Sequence, residues 1–231
     1  MTAQLCVITG VGPGTGSALV RQFAQRYRVA MIARNDGRLQ ALAEEVPGAL
    51  PFPCDVADGA ALQETVAAIS ALGVPRVVIH NAVSGGAGDV LALAPALLRR
   101  NFEVNTMALL HLIQAFAPGM VAAGEGAILA TGNTAAYRGR THFASFAPTK
   151  AAQRILLESA ARLLGPQGVH VAYVAIDAAI DVPWTRKALP DHPDDFFARP
   201  ADIASECFHV AHQPRSAWTF DVVIRPFGES W

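Results

Sequence analysis

Leu5-Cys6-Val7-Ile8-Thr9-Gly10-Val11-Gly12-Pro13-Gly14-Thr15-Gly16 is the stretch on which the reading of this chain turns. The run 5–9 is short, apolar and closed by glycine, which reads as a buried strand, and residues 17–26 continue with helical period. Glycine at 10, 14 and 16 lets the backbone turn tightly and come close to a pyrophosphate, whose charge sits on the N-terminus of the following helix. A glycine cluster alone often marks only a loop. Its place between the first strand and the first helix favours the phosphate reading.

The same alternation continues outward from that turn. Further short apolar runs at 29–33, 49–53, 77–80, 127–131, 169–176 and 222–224 read as strands apolar on both faces, as a parallel sheet requires. Helical periods occupy 37–45, 60–72, 97–123, 150–164 and 201–210, with Asp36 and Asp58 as expected N-caps and Gly124, Gly165 and Gly168 just past helix ends. Strand and helix alternating this often predict an α/β fold: one doubly wound domain over 1–231, its central parallel sheet flanked by helices on both faces.

Composition narrows the function. Across 231 residues, 18 Lys+Arg face 19 Asp+Glu, a net charge of −1, with 52% hydrophobic and 16% charged residues. That excludes a disordered chain and offers no basic footprint for nucleic acid or an anionic membrane. Cys6, Cys54 and Cys207 are far apart and without metal-ligand spacing, so neither a disulfide framework nor a metal site is expected, and a reducing, cytoplasmic setting is. The N-terminus lacks the pattern of a signal peptide, and no uninterrupted apolar run of about 18 residues suggests a membrane span.

Several motifs in order resemble the short-chain dehydrogenase/reductase superfamily. Thr9–Gly16 follows its T-G-x-x-x-G-x-G spacing. Cys54-Asp55-Val56 resembles the D-V that contacts adenine after the third strand, and His80-Asn81-Ala82 resembles N-N-A-G, with Val83 at the last position. Asn105 lies in a long helix as the family's helical Asn does. Phe146-Ala147-Pro148-Thr149-Lys150 stands in the place of Y-x-x-x-K, and Arg199-Pro200-Ala201-Asp202-Ile203-Ala204 resembles P-E-E-I-A. The resemblance implies a Rossmann-type fold and cofactor contacts from Gly10, Gly14, Thr15, Gly16, Arg34, Asn35, Asp55, Val56, Asn81, Ala82, Lys150 and Ile180. It also implies a substrate lid at 183–199, where Trp184 and the pair Phe196-Phe197 lie among charges.

At the end of the second strand, an acidic residue would suit an adenosine 2′-hydroxyl and a basic one a 2′-phosphate. Arg34 is the candidate phosphate clamp, its planar fork matching phosphate oxygens. Asp36, about 20 residues past the glycines, reads instead as the N-cap of a helix starting at Gly37. NADP(H) is therefore expected over NAD(H), although Pro13 stands where NADP-preferring relatives often carry a second basic residue.

The chemistry implied by the resemblance is hydride transfer between a nicotinamide and an alcohol or carbonyl carbon, assisted by Tyr, Lys, Ser and Asn. Lys150 and Asn105 match. Phe146 replaces the Tyr and has no proton to exchange, and Asn133 stands thirteen residues before it, in the Ser position. The Asn133 amide can still donate to a substrate oxygen. Tyr137, His142, Ser145, Thr131 and Thr134 lie nearby as alternative donors, and no general acid is assigned. After the sixth strand, where relatives read N-P-G-x-I-x-T, the chain has Asp177-Ala178-Ala179-Ile180-Asp181-Val182, keeping Ile180. Three functions stay open: an atypical NADP(H)-dependent oxidoreductase on a small substrate, a non-catalytic NADP(H)-binding sensor or interaction protein, and a partner subunit whose long helices form an interface. A homodimer or homotetramer is expected, as in relatives.

Overall fold

The strand at the glycine turn lies at the centre of a seven-stranded parallel sheet in the order β3-β2-β1-β4-β5-β6-β9, in a computed structural model that describes residues 3–228. The expected domain at 1–231 therefore extends beyond the described residues at both ends. In chain order the elements are β1 (Leu5–Thr9), α1 (Thr15–Phe23), β2 (Arg28–Ala33), α2 (Asp36–Glu45), β3 (Ala49–Pro53), α3 (Gly59–Ser70), β4 (Pro75–His80), α4 (Pro95–Phe102), α5 (Ala108–Ala123), β5 (Gly126–Gly132), α6 (Ala147–Leu164) and β6 (Val169–Ile176). The two-residue strands β7 (Ala179–Ile180) and β8 (Phe197–Ala198) flank α7 (Pro183–Ala188), and α8 (Pro200–Ala211) and β9 (Asp221–Ile224) follow. All seven main strands pair in parallel. Strand order reverses between β1 and β4, and such a switch point opens a crevice at the strand C-termini.

Helices cover both faces of this sheet. Leu62 of α3, Leu112 and Phe116 of α5 and Leu157 of α6 pack on one face, while Leu19 and Phe23 of α1, Leu39 of α2 and Ile203 and Cys207 of α8 pack on the other. Each fully buried Leu, Ile or Phe contributes roughly 1.5–3 kcal/mol. Helices α1 and α8 are also joined through aromatic rings: Phe23 and Phe208 lie 5.0 Å apart, Phe208 stacks on His212 at 4.0 Å, and Tyr27 Oη and His212 Nε2 are 2.7 Å apart.

Two expectations are corrected, the unbroken helix over 97–123 and the cap of α2. The helix expected over 97–123 starts at Pro95 and is interrupted by a π-helical turn at Glu103–Met107; one inserted residue shifts the periodicity too little to show in the sequence. That continuous stretch, Pro95–Ala123, is long and apolar enough by length and composition to cross a membrane, although no unbroken apolar run reveals it. In this fold Leu109, Leu112, Phe116 and Met120 lie buried in the core cluster. Asn35, not Asp36, caps α2: its backbone is extended and its Oδ1 accepts from Arg38 N at 2.8 Å, whereas Asp36 is already helical and its Oδ1 accepts from Gln40 Nε2.

Candidate functional site

The glycine turn forms the floor of a cleft of about 970 Å³ at the switch point. Gly10 has φ +70°, and a Cβ there would lie 2.5 Å from the Ala82 backbone; a Cβ on Gly16 would lie 2.4 Å from Gly10 O. Both positions exclude a side chain, one by conformation as well as space. The turn is tied to the end of β4. Thr9 Oγ1 accepts from Asn81 N and Ala82 N, each at 3.2 Å, Asn81 Nδ2 donates to Gly10 O at 2.9 Å, and Thr131 Oγ1 donates to Asn81 Oδ1 at 2.8 Å.

His80 completes this scaffold. Its Nδ1 lies 3.0 Å from Thr9 Oγ1 and its Nε2 3.0 Å from Val104 O. Because Thr9 Oγ1 already accepts two backbone amides, its own proton points to Nδ1, and Nε2–H donates to Val104. Burial, helped by the nearby Lys150, pulls the imidazole from 6.5 down to about 3. Between those values the unfolded chain binds a proton that the folded one refuses, so stability is intact above pH 6.5 and falls as pH drops toward 3. One such group contributes a slope of up to about 1.4 kcal/mol per pH unit. His80→Asn is expected to flatten the acid limb of a urea-midpoint against pH plot, leaving a residual slope because His170 and His212 are also lowered. An unchanged slope between pH 6.5 and 4 contradicts this assignment.

The cleft gathers most residues singled out in the sequence. Gly10, Gly14, Thr15, Gly16, Arg34, Asn35, Asp55, Val56, Asn81, Ala82 and Ile180 all line it. No acidic residue lies in the first turn of α1. Thr15 Oγ1 is buried without a hydrogen-bond partner at the start of that helix. An orphaned hydroxyl beside a glycine cradle and a helix N-terminus suits phosphoryl oxygens. Arg34 and Arg38 stand exposed at the β2 end of the cleft. At the same end Arg100 Nη2 lies 2.6 Å from Asp55 Oδ2; burial works to raise the Asp55 carboxyl, but Arg100 and the Ala57 amide outweigh it and hold it below its usual value. Arg100 lines the cleft too. The sequence reading missed it, since nothing in the α4 pattern distinguishes it from Arg99.

The opposite end is closed by the segment after β6. A Cβ on Gly14 would lie 2.9 Å from Val182 Cγ1, so the loop rests on the glycine turn. Trp184 and Thr185 line the cleft, and Arg186 pins the segment: Nε and Nη2 bind Asp181 at 2.7 and 3.1 Å, Nη1 binds Asp194 at 2.6 Å, and the guanidinium stacks 4.0 Å over Phe197.

Asn105, Asn133, Phe146 and Lys150 are not among the residues that line this cleft. Asn105 Nδ2 donates to Ser84 O at 2.7 Å and Thr149 Oγ1 at 2.8 Å, and its Oδ1 accepts from Ser84 N at 2.9 Å. Asn133 Oδ1 accepts from Ala135 N at 3.1 Å, capping a short 3-10 turn. The Phe146 ring lies against Gly85. Lys150 is 2% exposed; its Nζ is 3.3 Å from Thr131 O, 3.0 Å from Gln153 Oε1 and 5.7 Å from the Phe146 ring centre. Burial alone pulls its amine from 10.5 down to about 7. Gln153 went unremarked in the sequence, although its three-residue offset from Lys150 places both on one helix face.

The alternative donors are engaged elsewhere, except His142. Tyr137 Oη binds Asp221, burial and that carboxylate raise its phenol well above the usual range, and Arg154 stacks on its ring. Ser145 Oγ donates to Gly86 O at 2.7 Å, and Thr134 Oγ1 to Asp177 Oδ1 at 2.5 Å. His142 is exposed. Among the described residues no group of three or more His, Cys, Asp or Glu could hold a metal ion.

Comparison with known proteins agrees with this geometry. The family model described as short chain dehydrogenase matches residues 4–191. The chain is 32% identical over 167 residues to D-erythrulose reductase of Gallus gallus, covering 71% of this chain and 67% of the relative. It is 27% identical over 243 aligned positions to 7alpha-hydroxysteroid dehydrogenase of Escherichia coli K12, covering 99% of this chain and 94% of that one. A metagenomic short-chain oxidoreductase solved in complex with NADP superposes with a TM-score of 0.85 at 27% identity, with 99% of each chain covered.

Proposed function

Because the chain belongs to the short-chain dehydrogenase family of oxidoreductases, we propose that it binds NADP(H) and moves hydride to or from a small carbonyl or alcohol at a non-standard active site. The observation that carries this reading is the cleft itself, with the unpartnered Thr15 hydroxyl at its glycine floor and Arg34 at its β2 end. Gly10, Gly14, Thr15 and Gly16 would hold the pyrophosphate on the N-terminus of α1, and Arg34, helped by Arg38, the 2′-phosphate. Asp55 and Val56 would face the adenine, and Ile180 the carboxamide.

The nicotinamide, when bound, supplies or accepts the hydride. This chain's residues do the rest. Asn81 and Thr131 fix the floor, the segment 183–199 covers the site under the Arg186 clasp and excludes water, and Lys150 holds the Thr131 carbonyl at the end of β5. Phe146 offers an apolar surface where relatives of the resembled family place a Tyr hydroxyl. Exposed Val83 and Trp184 add apolar surface at the mouth, in keeping with a substrate bound partly by its hydrocarbon part. Exposed Ile155 and Leu163 on α6 support a homodimer or homotetramer through the long helices, and three free, buried cysteines support a cytoplasmic setting.

The second reading, an NADP(H)-binding sensor, draws on Asn105 and Asn133, whose side chains are engaged in structural hydrogen bonds. Titration with NADPH and NADH followed by a carbonyl and alcohol panel separates the two. Tight NADPH binding without turnover favours the sensor, and absence of binding ends both. Arg34→Ala is expected to weaken NADPH about tenfold or more and NADH hardly at all, since a hydrogen bond to a charged group is worth about 1.5–3 kcal/mol. Equal loss for both cofactors removes Arg34 from the 2′-phosphate.

A further inference from the structure

Of the 18 basic residues in the chain only Lys150 and Lys187 are lysines. Lys187 is exposed, while Lys150 is buried where an arginine would remain charged at every accessible pH. A buried ammonium normally has a carboxylate partner. Lys150 has none among the described residues: its hydrogen bonds go to the Thr131 carbonyl and the Gln153 amide oxygen. Gln153 is itself buried, and its Nε2 donates at 2.7 Å to Asn105 O. Asn105 lies within the π-helical turn, where the wider winding disrupts the ordinary ladder and leaves a carbonyl for an outside donor. One amide therefore bridges the amine and the helix.

We propose that Gln153 is the positioning residue for Lys150: by giving the amine an uncharged acceptor and filling the Asn105 carbonyl with its own NH2, it keeps Lys150 an exchangeable proton carrier instead of a fixed cation. An amide is a very weak acid and a very weak base, so Gln153 also closes the inner side of Lys150 to proton traffic. The remaining direction leads past Thr131, whose hydroxyl holds Asn81 in the cleft wall.

Every neighbouring element is consistent with an unbalanced amine. On β4, His80 is held neutral. On β5, Thr131 does not titrate. On α6, Phe146 carries no charge, and Arg154 is turned to Asp221 and Glu158. On β6, burial raises the Tyr173 phenol, which stays neutral with its Oη on Asn133. The amine that burial pulls down to about 7 thus changes charge in the neutral range.

Lysine-specific carbon-13 labelling tests this directly, because two lysines give two Cε resonances and Lys187→Arg assigns them. In the free protein the Lys150 signal should titrate in the neutral range. Gln153→Glu should move its midpoint up by about one unit or more, the shift an opposite charge within reach produces. Gln153→Met, which keeps the bulk and removes both hydrogen bonds, should move it down, and serves if the Glu variant does not fold. A Lys150 midpoint near 10 in the wild type, or one unmoved in both variants, overturns the proposal. The link to function rests on the cofactor reading and has its own arm. The pH at which NADPH affinity changes should shift with the Lys150 midpoint in Gln153→Glu. An affinity profile that stays in place while the midpoint moves overturns that link. A wild type that binds no NADPH defeats the cofactor reading and leaves the resonance result standing.

Discussion

Lys150→Met is expected to make the cofactor-free protein more stable while weakening NADPH binding. The amine is lowered from 10.5 to about 7 by burial. Below pH 7 it is charged in both states and the folded chain carries the whole desolvation penalty. Between pH 7 and 10.5 the unfolded chain holds the extra proton, so stability rises with pH, and above 10.5 the penalty is gone. At about 1.4 kcal/mol per unit, a shift of this size costs the fold roughly 5 kcal/mol at low pH. Removing the amine also leaves Gln153 Oε1 without its donor, at a cost of about 1–3 kcal/mol. The net gain should be on the order of 2 kcal/mol at pH 6, shrinking to nothing or reversing by pH 10. Urea midpoints of both proteins at pH 6, 8 and 10 measure it. A variant less stable than the wild type at pH 6 would mean that Lys150 is compensated by a partner.

The second large effect is a gain. Phe146→Tyr combined with Asn133→Ser is expected to raise carbonyl reduction about 100-fold, at the low end of the ~10²–10⁴ that a positioned acid or base contributes. The pair is chosen because the two positions have different local costs. Asn133 caps the short turn through Ala135 N, and Ser caps comparably well, so the loop should survive. Phe146 is partly exposed beside Lys150 and Gly85, and a phenol there would have a basic amine within its neighbourhood. Initial rates with NADPH and a carbonyl panel give the result. An NADPH-binding double variant with no gain would mean that the substrate side of the cleft no longer admits a carbonyl in the needed place, and would favour the sensor reading.

The fold was legible because its signals are local. The seven strands of the main sheet are short apolar runs with little else to become, and the glycine turn announces itself by the spacing that Gly10 and Gly16 need to avoid Ala82 and each other. The β2 end of the cleft was readable for the same reason: Arg34 follows β2 directly and Asp55 comes two residues after β3. The cap of α2 was placed at Asp36 instead of Asn35 because Asn and Asp are equally good caps, and one residue of extended backbone decides between them. The inner site resisted for a different reason. Lys150 was visible through its place in a motif, but its environment is assembled from β5, the π-helical turn and α6, which meet only in space. Gln153 carries no mark of its role, since a glutamine three residues after a lysine on a helix is ordinary. The strands β7 and β8, two residues each, lie below any periodicity.

The aromatic seam between α1 and α8 has a consequence for how the chain assembles during synthesis. The helix that follows the glycine turn is among the first to leave the ribosome, yet the surface that covers Phe23 comes from Phe208 and His212, some 185 residues later. Such separations raise the contact order and slow closure. Until α8 arrives, Phe23 and Tyr27 are open to solvent and to other chains, the kind of exposure that chaperones guard. The segment matched by the family model, 4–191, ends before α8, so by itself it lacks the helix whose Phe208 packs on Phe23. The glycine turn is encoded in the first sixteen residues and its helix secured only when nearly the whole chain has been made.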